Sequence, residues 1–385
     1  MNITKSLLIF SDWFYPGYKA GGPIKSVTNL SAALQKQYNV FVFTSNTDLN
    51  VTEPYENIES DSWVKPFKDS EVEVYYSSKK NQNFQNLKKI IKEVNPTCIY
   101  LNHMWSYRFV LQPLFTTWWS YKNIKIVLCP RGALFESALH HNKTYFKKRF
   151  AISIIKLLGI HKQIHFHATT LQEKKTIKNY FGKVNIAIAN NLPDLFQPPL
   201  SIIEKQKNEL KIIYIARILA IKNLQFLLHN LSSITSSIQL SIAGPIEDEN
   251  YWASCKNIID VLPSNIQVKY IGEIQPKDII PLIQQHHLYC LPTKGENFGH
   301  SIFEAFVAGR PVLISNKTPW LNLQDSKVGW DVEIENDNAL VEPIKKALAW
   351  NQEEFNTYCK ASWQLANEYI NNPKLVSTYY PMFNN

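Results

Sequence analysis

Cysteine is scarce in this chain, with five in 385 residues. Cys98, Cys129, Cys255, Cys290 and Cys359 are odd in number and share no paired spacing, which argues against a disulfide framework and a Cys-x-x-Cys metal site and predicts buried, reduced thiols. Long apolar runs are missing too. Leu7–Phe10 is the only one before Ser11, Asp12 and Trp13, too short for a signal-peptide core, and no run approaches the roughly 20 residues of a transmembrane helix. A cytoplasmic protein is the expectation. No Asp-x-Asp closes a strand, so no bound divalent metal is expected, and neither a solenoid-period repeat nor a low-complexity tract is present.

What is there suits two globular domains: 385 residues with 45% hydrophobic content exceed what one core accommodates. The net charge of +9 is unevenly spread. Residues 1–200 hold 25 basic and 13 acidic side chains, about +12, leaving the remainder near −3. The basic half should meet the more anionic partner. No nucleic-acid module accompanies the charge, so nucleic acid is not the expected partner; an anionic membrane surface or a phosphate-bearing lipid acceptor is.

The most informative stretch is 289–316, which reads as strand, glycine-rich loop, helix, strand, the apolar spacing changing period at each boundary. The helix should begin near Gly299, after Asn297 in the turn, with Ile302, Phe303, Ala305 and Phe306 at helical spacing until Gly309 stops it. Such a helix start points free backbone N–H groups and a positive dipole end beyond the preceding strand, which suits an oxygen-rich or anionic ligand. Glu296 and Glu304 border that space. Eight residues of helix leave two side chains about 80° apart, so the pair converges only if Glu296 lies off the helix. Without a ligand, the stretch is simply a core βαβ unit with solvated carboxylates.

Glu296 and Glu304, with seven residues between them inside Gly-Glu-Asn-Phe-Gly-(four residues)-Glu-Ala and followed by Ala-Gly-Arg-Pro-Val, resemble the E-x7-E signature of retaining glycosyltransferases of family 4. That family has the GT-B architecture, and the resemblance extends over nearly the whole chain. Ala216-Arg217-Ile-Leu-Ala-Ile-Lys222-Asn223-Leu is similar to its Gly-Arg-(four residues)-Lys-Gly-Leu, with Ala216 and Asn223 replacing glycines. By that resemblance Arg217 and Lys222 are the diphosphate cations, Glu304 holds the ribose hydroxyls, and Glu296 with the amides of Phe298 and Gly299 holds the sugar. Fixed cations are what a departing nucleoside diphosphate requires; a solvated pair is the plainer alternative. Gly272 and Ile274 would border the base, and Thr318-Pro-Trp-Leu resembles members acting in surface-polysaccharide assembly.

Several features of the first half extend this reading. Gly21 and Gly22, before Pro23 at a first helical position, would admit a ligand to the backbone or simply form a turn; the family implies a glycine loop facing donor phosphate and acceptor, with Lys25 beside it. Asn102-His103 ends a strand where family members carry a His, so either residue could line the site. Pro130-Arg131-Gly132 looks like the segment of members that extend lipid-linked saccharides, making Arg131 a cation for an acceptor phosphate or a domain-interface salt bridge. Tyr145–Ile160 has the pattern of a basic amphipathic helix, which covers a core or meets a membrane. His165 and His167 share a strand face with no third ligand near.

The expected fold is therefore α/β of GT-B type: two Rossmann-like domains facing a central cleft, residues 1–196 on the acceptor side and 197–371 binding the nucleotide sugar. Residues 197–210 read as the linker, and a C-terminal helix, 372–385, returns to the N-terminal domain. The expected activity is metal-independent retaining transfer of a hexosyl or N-acetylhexosaminyl group, without cofactor. The donor is a nucleotide-diphosphate sugar and the acceptor a saccharide or lipid-pyrophosphate-linked saccharide in O-antigen, capsule or exopolysaccharide synthesis, in the cytoplasm or peripherally on the inner face of the plasma membrane. A non-catalytic nucleotide-sugar binding protein, or a phosphorylase or epimerase of the same fold, is the alternative.

Overall fold

Leu7, Leu8, Ile9 and Phe10 are each completely buried, as a parallel strand covered on both faces requires. They form the first strand in a computed structural model that describes residues 5–136, 139 and 145–384. The chain divides into two units, Met1–Asp194 with Pro373–Asn385, and Leu195–Asn372.

Among the described residues, the first unit contains strands β1 (Ser6–Phe10), β2 (Asn39–Ser45), β3 (Trp63–Val64), β4 (Glu73–Ser77), β5 (Cys98–Asn102), β6 (Lys125–Cys129), β7 (Ile164–Ala168) and β8 (Asn185–Ile188). They form one sheet in the order β3-β4-β2-β1-β5-β6-β7-β8, parallel throughout except for β3 on β4. Strand order reverses at β1, flanked by β2 and β5, and ligands of open parallel sheets bind beyond the carboxyl ends at such a point. The C-terminal return consists of two short helical turns, Lys374–Ser377 and Tyr380–Phe383. Tyr379, Met382 and Phe383 are buried in one core cluster with Tyr38 and Tyr100.

The second unit contains β9 (Glu209–Ile215), β10 (Ser237–Ala243), β11 (Ile266–Gly272), β12 (Leu288–Leu291), β13 (Val312–Ser315) and β14 (Gly329–Val332), all parallel, in the order β11-β10-β9-β12-β13-β14. The stretch expected to be a linker is packed into this unit. Lys205 is 4% exposed, its ammonium donating to the carbonyls of Gln206, Leu348 and Trp350. Arg310 is wholly buried and donates to the carbonyls of His286, Ser201 and Gln284, tying helix ends to the same segment. All five cysteines are buried and free.

Candidate functional site

In the second unit β12 is followed by a loop and the helix His300–Val307, whose N-cap is Gly299 at φ 75°. Glycine adopts that left-handed conformation without steric cost. Glu296 lies four residues ahead of the helix, with its backbone N–H donating to the carbonyl of Lys317, while Glu304 sits within the helix. Each is partly buried. Both act on buried Tyr289: burial, with the charges of Glu296 and Glu304 adding to it, pushes that phenol far up. Phe298 is buried, and its carbonyl accepts a 2.6 Å hydrogen bond from the Trp320 indole. Trp320, within the Thr-Pro-Trp-Leu stretch, thus braces the loop from behind. Asn297, in the same loop, is partly buried.

Lys222 reaches this loop from the turn after β9 and forms an ion pair with Glu296, both side chains only 15% exposed. Asn223 follows at φ 61° and caps the helix Leu224–Leu231. That backbone explains the residue, since asparagine is among the few side chains that tolerate a left-handed site. Arg217 pairs with Glu247 at 2.6 Å, and both are more exposed, at 37% and 45%. Ala216 lies against Gly244: a Cβ at Gly244 would meet its carbonyl oxygen at 2.0 Å. Gly272 ends β11 at φ 93° and accepts a hydrogen bond from the Gly244 amide; Ile274 follows, half-buried.

In the first unit Asn102 and Arg131 meet at the ends of β5 and β6. The Arg131 guanidinium donates to Asn102 Oδ1 at 2.9 Å, to Asn191 Oδ1, and to Tyr100 Oη at 3.2 Å. All three partners are neutral side chains, and among the described residues no carboxylate pairs with Arg131. Tyr100 in turn lies 2.9 Å from His167 Nδ1, and His167 Nε2 lies 2.8 Å from the Ala189 carbonyl. The carbonyl can only accept, so Nε2 carries the proton and Tyr100 donates to Nδ1. Burial, reinforced by the Arg131 charge, holds His167 down to about 3. Glu173, fully buried, accepts from the Gly132 and Thr169 amides and fixes the turn after Arg131.

Asn102 also donates to Ser11 Oγ, so both ends of its amide are engaged inside the fold. His103 is only partly buried and left-handed at φ 75°. Burial first, then the charges of Lys148 and Arg131, pushes it down to about 4, leaving a neutral imidazole at pH 7. Gly21, at φ 67°, caps the helix Gly22–Leu34; Gly22, Pro23 and Lys25 occupy its first turn. His165 and His167 share a strand side, but only His165 is partly exposed. Among the described residues no group of three His, Cys, Asp or Glu side chains could hold a metal ion.

Two residues had no signal in the sequence. Glu247, the partner of Arg217, lies thirty positions away in another loop. Asp12, just past β1, accepts a 2.6 Å hydrogen bond from Ser106, and burial pushes its carboxyl up to about 6 against the lowering effect of that bond.

Two parallel-sheet α/β units of this topology make up the GT-B fold. Sucrose-phosphate synthase from Thermosynechococcus elongatus is similar over 98% of each chain at a TM-score of 0.70 and 17% identity. HepE of Anabaena, solved with UDP and glucose, is similar over 98% of each chain at 0.68 and 14%. WaaG, a glycosyltransferase involved in lipopolysaccharide biosynthesis, covers the same shares at 0.62 and 14%. Residues 200–362 match the family described as glycosyl transferases group 1. No curated protein matches the sequence.

Proposed function

We propose that this protein is a retaining, metal-independent glycosyltransferase of family 4, moving a sugar from a nucleoside-diphosphate donor to a saccharide or lipid-pyrophosphate-linked acceptor in surface-polysaccharide assembly. The Lys222–Glu296 ion pair at the mouth of the Gly299-capped helix carries the reading. The donor diphosphate takes Lys222 and Arg217 from their carboxylate partners, so fixed cations meet the charge that grows as the diphosphate leaves. Glu296, released from Lys222, and the amides of Phe298 and Gly299 hold the sugar hydroxyls, with Asn297 beside them. Glu304 holds the ribose, and the base lies against Gly272 and Ile274. Gly21 and Gly22 present backbone to phosphate, while Lys25 and Arg131 attract the acceptor phosphate. Arg131 suits that role because its neutral partners orient the guanidinium without discharging it. Asn102 positions Arg131, and His103 offers a neutral ring at the same strand end. Solved relatives that hold UDP, and one acting in lipopolysaccharide biosynthesis, support donor class and setting.

The acceptor side suits a lipid-bearing substrate because the helix Tyr145–Leu157 has an apolar stripe facing away from the protein. Phe146, Phe150 and Leu157 are 81%, 68% and 88% exposed, whereas Ile152 and Ile155 on the other face are buried. At about 100° per residue the three fall within roughly 40° of one another, with Lys147, Arg149 and Lys156 alongside. Such a face lies on an anionic membrane surface. No described helix is long and apolar enough to cross a membrane.

The test is incubation with a panel of UDP-, GDP-, ADP- and dTDP-sugars, following nucleotide release with and without saccharide acceptors. Acceptor-stimulated release of one nucleotide is the expected result. Binding without release would instead identify a nucleotide-sugar binding protein.

A further inference from the structure

A cavity of about 370 Å³ opens in the first unit beside β1 and is lined by Asp12, Trp13, Ser45, Gln82, Arg108 and Phe109, among others. It lies at the carboxyl ends of β1 and β2 and is closed by residues 106–109 from the segment that follows β5; β1, flanked by β2 and β5, is where the sheet order reverses. Its polar groups are held by the fold. Ser106 Oγ accepts from the Phe109 amide at 3.2 Å and therefore donates to Asp12 Oδ1 at 2.6 Å. Arg108 donates to Gln82 Oε1 at 2.8 Å, and the Gln82 amide donates to the Ser77 carbonyl. Among the described residues, no cation pairs with Asp12 and no carboxylate with Arg108. The pocket therefore offers a fixed acceptor and a fixed donor of opposite charge that do not neutralise each other.

That combination selects a ligand class. A phosphate or carboxylate ligand meets Asp12, and a cationic ligand meets Arg108, each at a like-charge cost in a partly desolvated site. A neutral polyhydroxylated ring faces neither penalty, because each hydroxyl donates and accepts, and Trp13 and Tyr107, which line the same pocket, supply apolar surface for its C–H groups. We infer that this pocket binds a neutral sugar unit of the saccharide acceptor, with Asp12 and Arg108 as its specificity-determining hydrogen-bond partners. The identification of that sugar as the acceptor rests on the glycosyl-transfer reading above; the sugar site itself does not.

Saturation-transfer NMR with methyl α-glycosides of glucose, galactose, mannose and N-acetylglucosamine tests it on the full chain, in parallel with nucleotide release from the sugar-nucleotide panel. At least one glycoside is expected to bind, and Asp12→Asn and Arg108→Gln should each raise its dissociation constant by about tenfold, the scale of one charge-assisted hydrogen bond. Circular dichroism reports whether the variants fold, and Trp13→Phe provides a milder change in the same wall. Absence of binding to the wild type, or binding unaffected by all three substitutions, overturns the inference. Nucleotide release with no Asp12-dependent sugar binding sinks this inference alone. Asp12-dependent binding with no release from any donor upholds the sugar site and sinks the glycosyl-transfer reading.

Discussion

Lys222 and Glu296, 74 residues apart in sequence, form an ion pair in which each side chain is only 15% exposed. In the proposed donor complex the diphosphate takes the ammonium over from the carboxylate. If Lys222 mainly meets charge developing in the transition state, Lys222→Ala lowers kcat by on the order of 10²–10³ with little change in donor KM. On the proposed assignment of Glu304 to the ribose, a contact made equally before and during transfer, Glu304→Gln should act mainly on KM. Steady-state kinetics of folded variants check both, and a near-wild-type kcat for Lys222→Ala at saturating donor removes it from catalysis.

Stereochemistry and metal dependence are tested together. The product should keep the donor's anomeric configuration by NMR, and turnover should survive chelation. An inverted product contradicts the first, and activity lost to chelator but restored by magnesium or manganese contradicts the second.

The exposed stripe of the helix Tyr145–Leu157 predicts co-sedimentation with anionic liposomes that weakens as salt shortens the Debye length below about 10 Å. Phe146→Ser with Phe150→Ser should reduce it at any salt, since both rings already face solvent. Equal binding to neutral vesicles counts against an anionic surface.

Asp12 gives a pH signature. Its folded value is raised from 3.8 to about 6 by burial, so between those values the folded state binds more protons than the unfolded chain. Stability attributable to this group is therefore full below about pH 4 and falls as pH rises through 6. Arg108 lines the same pocket but donates to Gln82 rather than to this carboxylate. Asp12→Asn, which keeps an acceptor for Ser106, should be more stable than wild type by about 3 kcal/mol at pH 7 and nearly equal to it at pH 4. Denaturant titrations at both pH values decide, and an equal difference at each contradicts the assignment.

The parts of the site legible in the sequence were those written along one segment. The loop and helix around Gly299 announce themselves because strand, turn and helix each impose their own spacing, and Glu296 lies off the helix as convergence required. Lys222 was named from the resemblance of the run after β9 to a family motif, and the fold sets its ammonium against Glu296. Even the departure at Asn223 makes sense once its left-handed backbone is seen. What did not show was whatever depends on distant residues meeting. A lone Asp after a strand carries no period, and only the fold brings Ser106 to Asp12 or Glu247 to Arg217. Residues 197–210 misled for the same reason. Their polar composition resembles a tether, but buried Lys205 caps carbonyls near 348 and 350, a contact no local pattern encodes.

The burial of Tyr379, Met382 and Phe383 in the first unit's core has a consequence for biosynthesis. The domain made first is the last to be finished. While a ribosome adds the intervening 195–372 at about 5–20 residues per second, on the order of 10–40 s, the surface awaiting those three side chains stays uncovered. Throughout that interval, the nascent chain offers chaperones an apolar face beside Tyr38 and Tyr100 that the completed protein no longer has.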